Sequence, residues 1–149
     1  MKKNKPTSKL NTEIAPSGYR YFLKRDPADP DLKWSELLIH AYIVQQARKE
    51  GYLLIGGAEQ GQRSMASGAR LKACGMAAGN PDLTFYLVGG KSAYVELKTL
   101  SGKLSKDQIH HHEEMKKRGH SVKVIYASCP ADGWEQVVEY IRGVEWTEA

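Results

Sequence analysis

An α/β fold is predicted for this 149-residue chain, and three observations carry the prediction. Segments of helical periodicity alternate with short apolar runs in the order α-β-(short α)-β-β-α-β-α. Two neighbouring runs, 82–88 and 92–98, alternate apolar and polar residues with period two, the mark of a half-buried strand. Residues that start and stop helices fall where this order puts helix ends. Hydrophobic residues at 41% and charged residues at 26% are enough for one domain with one core.

Residues 1–31 read as a basic, flexible N-terminal tail and residues 32–149 as the domain. "DPADPDLKWSE" is an irregular linker running into an N-capped helix. Over residues 34–50, Leu37, Leu38, Ala41, Val44 and Ala47 recur at three and four, an amphipathic helix stopped at Gly51. "YLLIGGAE" reads as a buried strand, and residues 61–79 as a loop and short helix with Arg63, Arg70 and Lys72 on a basic surface. After the two alternating strands, Ser105 with Gln108 three residues later forms a capping-box signature, and Gly119 ends that helix. "HSVKVIYA" is a further strand. Trp134, Val137, Val138 and Ile141 mark a final amphipathic helix.

Strand parity places the polar residues. The odd positions Leu83, Phe85, Leu87, Ala93, Val95 and Leu97 are apolar, while Asp82, Thr84, Tyr86, Ser92, Tyr94, Glu96 and Lys98 hold the even ones. An antiparallel pair keeps both odd sets on one core only if its loop has an odd number of residues, and Gly89-Gly90-Lys91 supplies three. In that register Lys98 lies opposite Asp82, with Glu96 on the diagonal. Two carboxylates and a lysine then converge at one sheet end. Their repulsion is relieved either by a shared divalent cation, magnesium or manganese for oxygen ligands, or simply by the lysine as a strand-end ion pair; the residues alone leave both open.

The net charge of +5 is concentrated early, with Lys2, Lys3, Lys5, Lys9, Arg20, Lys24 and Arg25 against Glu13. A polyanionic partner and a merely solubilising tail both account for it. Cys74 and Cys129 lack the spacing of a zinc site or a disulfide framework and read as reduced thiols. No apolar run has the length of a membrane span and the first residues have no signal-peptide core, so a cytoplasmic protein with no membrane association is expected.

"GNPDL" followed by "ELK" resembles the PD-(D/E)XK nuclease superfamily. With "SE" at the first helix, "GARLKACGMAAGNPDL", "YVELKTLSGKLSKDQ" and "RGHSVKVIYA", the chain from 36 to 142 is similar to the virus-type replication-repair nuclease (VRR-Nuc) domain. The resemblance implies a PD-(D/E)XK nuclease-like αβββαβ core, with a mixed central sheet flanked by helices. It implies Asp82, Glu96 and the carbonyl of Leu97 as metal ligands, and Lys98 as the residue that orients or activates water. It also implies Glu36 as the first-helix acid and Gln108 as the downstream glutamine, although capping explains Gln108 equally. The family commonly carries glutamine one turn beyond that Glu, where this chain has His40.

A metal-dependent DNA endonuclease using Mg2+ or Mn2+ is therefore implied. The resemblance further implies selectivity for branched or Holliday-junction-like DNA, a phage or replication-repair setting (the host cytoplasm if phage-encoded), and a homodimer. Arg63, Arg70 and Lys72 are placed to follow the DNA backbone without reading sequence. The alternatives are a nucleic-acid-binding module that keeps the fold without turnover, and a metalloprotein built on His110, His111, His112 and His120. Consecutive helix residues point in different directions, so the histidine run reads as a solvated face.

Overall fold

A computed structural model describes residues 12–14, 21–23, 25–57 and 65–147. Strands β1 (Thr12–Ile14) and β2 (Tyr21–Leu23) pair antiparallel within the segment read as a tail. The body is a four-stranded sheet in the order β3 (Leu53–Gly56), β4 (Leu83–Leu87), β5 (Lys91–Thr99), β6 (Val122–Ala127). The first three strands are antiparallel and β6 joins β5 in parallel, so the sheet is mixed. Helices α1 (Glu36–Lys49), α2 (Met65–Ala73), α3 (Lys106–Lys117) and α4 (Pro130–Trp146) complete the order. Among the described residues, no helix is long and apolar enough to cross a membrane.

The odd positions build the core, as parity predicts. Leu83, Phe85, Ala93, Val95 and Leu97 are buried with Leu54 and Ile125 against Ile39, Ile43 and Ala47 of α1 and Val137 and Ile141 of α4. The buried stripe of α1 is rotated from the expected one, since Ile39 and Ile43 face inward and Leu37 is exposed. Gly133 explains the rotation. A Cβ there would meet Ile43 Cδ1 at 3.1 Å and Ile39 Cγ2 at 3.2 Å, so α4 approaches α1 closely along those two isoleucines. Helix α4 also starts earlier than its apolar pattern, at Pro130, whose ring suits the first helical position.

Three further differences from the sequence reading have physical causes. β3 is an edge strand, with Leu54 buried but Leu53 and Ile55 67% and 54% exposed on its other face. The linker packs on the domain instead of running free. Trp34 donates Nε1–H to the Asp29 carbonyl at 2.7 Å, the Arg25 guanidinium stacks 4.5 Å from its ring centroid, and Ala131 N–H bonds the Pro27 carbonyl.

The third difference is the β4–β5 register. The turn is Val88–Gly90, with φ of 79° and 74° at Gly89 and Gly90, and Lys91 already belongs to β5 opposite Leu87. Lys91 is held there by its ammonium, which donates to the Glu145 and Thr147 carbonyls at the end of α4, 2.8 and 2.5 Å away. The loop still has three residues, so parity survives, but the pairing moves by two. Extending it one step past Leu83–Val95 sets Asp82 beside Glu96, not opposite Lys98.

Candidate active site

Four chain segments meet at the end of the sheet where β4 enters and β5 leaves. Asp82 stands just before β4, and its main chain is fixed from the β3 side because its carbonyl accepts from Gly57 N–H at 2.7 Å. Its carboxylate accepts from Leu97 N–H at 2.7 Å. The side chain thus continues the β5 hydrogen-bond ladder where the β4 backbone has turned away, which holds it rigidly beside Glu96.

Glu96 is 1% exposed on the even face of β5. One oxygen, Oε1, accepts from Gln108 Nε2 at 2.7 Å and lies 3.7 Å from Lys98 Nζ. The other, Oε2, is buried without a hydrogen-bond partner. Burial, and next the charge of Asp82, push the Glu96 carboxyl up to about 8, against the opposing pull of Lys98.

Lys98 is itself 7% exposed and lies 3.8 Å from Glu36 Oε1, so its ammonium bridges the two glutamates. Glu36 opens α1 directly after the cap Ser35, whose hydroxyl accepts from Leu38 N–H. Gly102 closes over this pair. A Cβ there would meet Glu36 Oε1 and Lys98 Cβ at 3.3 Å.

Gln108 caps its helix and also reaches Glu96. Its Oε1 accepts from Ser105 N–H at 2.8 Å while Ser105 Oγ accepts from Gln108 N–H at 3.1 Å, a complete capping box, and its amide nitrogen still reaches Glu96. The start of α3 is located by Gly79, at φ 85°. A Cβ there would collide with the Asp107 carbonyl.

Two histidines join the cluster, each one helical turn beyond a site residue. His40 follows Glu36 on α1, next to Gly56, and burial lowers its pKa while Asp82 opposes the shift. His112 follows Gln108 on α3. Burial first, and then His111 and Lys98, hold its ring below the usual histidine range against Asp82. The reading of the histidine run as a solvated face is therefore corrected at His112, whose Nε2 is buried. The spacing of four from Gln108 was the signal that could have found it. His110 stays exposed, and His120 turns to Tyr94, its Nδ1 3.2 Å from the hydroxyl.

Arg70 and Lys72 are exposed in the last turn of α2. Arg63 lies outside the described residues.

The fit to a divalent ion rests on the donor set. Among the described residues, no three His, Cys, Asp or Glu side chains are gathered closely enough to hold a metal on their own. Asp82 and Glu96 bring two carboxylates, and the unpartnered Glu96 Oε2 is an oxygen whose burial only a proton or a cation offsets. In a strand a residue's N–H and C=O face the same neighbour, so Leu97, whose N–H is held by Asp82, aims its carbonyl to that side as a third oxygen. Magnesium keeps several waters, so three protein oxygens suit it.

No family model and no curated protein matches the chain. Solved structures do, the following two among them. One, described as a "VRR_NUC domain protein", is 16% identical with a TM-score of 0.56, over 74% of this chain and 92% of its own. The other, a "VRR_NUC domain", is 24% identical with a TM-score of 0.47, over 72% of this chain and 94% of its own. The mixed four-stranded sheet flanked by helices defines an α/β domain. Its fold is similar to that of the "VRR_NUC domain protein" structure.

Proposed function

We propose that the protein is a metal-dependent endonuclease that hydrolyses phosphodiester bonds in DNA. The observation that carries this is the burial of Glu96 beside Asp82 with one oxygen unpartnered, while Lys98 and Gln108 fix the other. A purely structural ion pair needs no second carboxylate and no vacant lone pair.

Asp82, Glu96 and the Leu97 carbonyl would hold the divalent ion, which when bound would supply Lewis-acid stabilisation of the phosphoryl oxygens and a more acidic water. Gln108 locks the Glu96 carboxylate in one orientation. The Lys98 ammonium, positioned by Glu36 and Glu96, offsets charge building on the phosphate and donates a hydrogen bond to the attacking water. Arg70 and Lys72, with Arg63, neutralise backbone phosphates on the approach to Asp82. The resemblance supports branched or junction DNA as substrate in a phage or replication-repair setting. It also supports a homodimer, since cutting two strands calls for two such sites.

Cleavage of labelled linear, flap and four-way DNA, with and without Mg2+ or Mn2+, tests the proposal with Glu96→Gln as control. Ion-dependent cutting lost in Glu96→Gln supports it. DNA binding without cutting by the native chain with either ion makes the protein a binding module instead.

A further inference from the structure

Asp82 and Glu96 are held by different parts of the chain. Asp82 follows a turn over residues 77–80, closed by Asn80 N–H on the Ala77 carbonyl at 3.3 Å, and then the buried Pro81. Glu96 is gripped from the first turn of α3, by Gln108 Nε2 at 2.7 Å. In the chain, β4 and β5 separate that turn from α3. In space the two meet at Gly79.

Gly79 takes the third position of the turn with φ of 85°, a conformation that glycine adopts without strain. A Cβ there would stand 2.6 Å from the Asp107 carbonyl carbon and 2.8 Å from Gln108 Cα. Both are backbone atoms inside the capping box, so no side-chain rotation clears them. Restoring an ordinary contact of 3.4 Å would part the turn from α3 by the better part of an ångström. The Gln108–Glu96 hydrogen bond is the contact that such a shift breaks. Gly119, at the other end of α3, separates the two demands on Gly79. Its φ of 87° is as restrictive, yet a Cβ there meets nothing within 4 Å.

We propose that Gly79 is a positioning residue that acts through Gln108. Its missing Cβ lets the turn ahead of Asp82 seat against α3 at the depth where the Gln108 amide reaches Glu96 Oε1, so one backbone contact sets the supports of both carboxylates. The consequence for cleavage rests on the nuclease reading above, whereas the placement of Gln108 does not.

Two readouts test this. In the metal-free full chain, solvent exchange of the Gln108 side-chain amide is followed by NMR, with the signal identified by its loss in Gln108→Ala. Gly79→Ala is expected to speed that exchange about tenfold, the scale of losing one hydrogen bond to a buried group, while Gly119→Ala stays within about threefold of the native chain. In single-turnover cleavage with Mg2+ or Mn2+, Gly79→Ala is expected to lower the rate about 10²-fold, the effect of a misplacement near 1 Å. Its DNA affinity stays within about threefold, and added to Gln108→Ala the same substitution costs less than about threefold, because the contact it acts through is already gone. If Gly79→Ala does not fold, a glycine inserted between Ala77 and Ala78 slackens the turn without adding a Cβ, and it is held to the same two readouts.

Native exchange of the Gln108 amide in a folded Gly79→Ala, or equal acceleration by Gly119→Ala, overturns the role of Gly79. So does cleavage by Gly79→Ala near the native rate, or its full rate loss repeated on top of Gln108→Ala. Each of these leaves the nuclease reading standing. No cleavage by the native chain with either ion overturns that reading, and the exchange measurement then decides the placement of Gln108 by itself.

Discussion

The two faces of β5 are buried to similar depth for opposite reasons. On the odd face, Val95 and Leu97 belong to the apolar core with residues of α1, α4 and the adjacent strands. Each such side chain contributes about 1.5–3 kcal/mol by leaving water. On the even face, Glu96 and Lys98 are as enclosed as a core leucine, yet one carboxylate oxygen has no partner and a second carboxylate stands beside it. Folding gains little from that arrangement, because taking these charged groups out of water costs more than their ion pair returns. Burial that packs well marks the core, whereas burial left unsatisfied marks the site.

Mutations on the two faces should therefore fail in different assays. The largest effect is expected for Glu96→Gln and Asp82→Asn. Each lowers cleavage at least about 10²–10³-fold, the scale of losing one electrostatic stabiliser, while melting temperature stays level where the Glu96 carboxyl holds its proton and rises above a pH of about 8, where the carboxylate repulsion is relieved. Leu97→Ala, one position away, is expected to lower stability by about 2–5 kcal/mol, measured by denaturant unfolding. If Glu96→Gln instead destabilises as much as Leu97→Ala, Glu96 belongs to the structural framework and the contrast between the faces is lost.

Lys98→Met comes next. It keeps most of the stem and removes the charge, so turnover is expected to fall about 10²-fold while divalent-ion affinity is unchanged or higher, since the ion then compensates more of the carboxylate charge. A collapse of ion affinity in this variant would make the lysine a support for the strand end.

The raised pKa of Glu96 gives a pH signature to the even face alone. The folded-state value of about 8 lies above the ordinary carboxylate value, near 4.3. Between the two, the folded chain binds more protons than the unfolded one, so stability is full below the lower value and falls as pH rises to about 8. Thermal melts without metal should show this decline in the native chain and a flatter profile in Glu96→Gln. Magnesium competes with the same proton, so its affinity should climb through the same window.

The smallest effect lies away from both faces. Arg70→Ala with Lys72→Ala is expected to reduce the slope of log affinity for DNA against log salt by roughly one per lost phosphate contact. An unchanged slope would move the DNA path off α2.

Parity alone told the two faces apart in the sequence, because alternation survives any loop of odd length. The register did not follow from it. Val88-Gly89-Gly90 and Gly89-Gly90-Lys91 are both three-residue loops with glycines, and the choice is made by carbonyls at the far end of α4 that hold Lys91. The motif residues were readable as a group because Asp82, Glu96 and Lys98 sit at strand ends with shared parity, and Ser105-Gln108 announced the helix that brings the amide to Glu96. His112 was hidden inside three consecutive histidines, where composition gives no direction and only the helical phase set by Gln108 does. The inward turn of Ile39 and Ile43 was hidden likewise, since α1 carries a second apolar stripe through Leu37 and only the close approach at Gly133 selects between them.

The central claim is that the buried Glu96 and the half-buried Asp82 stand together to hold a divalent ion. Calorimetric titration of Mg2+ and Mn2+ into the metal-free native chain and into Asp82→Asn/Glu96→Gln, both checked for folding by circular dichroism, tests it directly. Saturable binding by the native chain that vanishes in the double variant is the predicted result. Equal binding by the two proteins, or no binding by either, would contradict it.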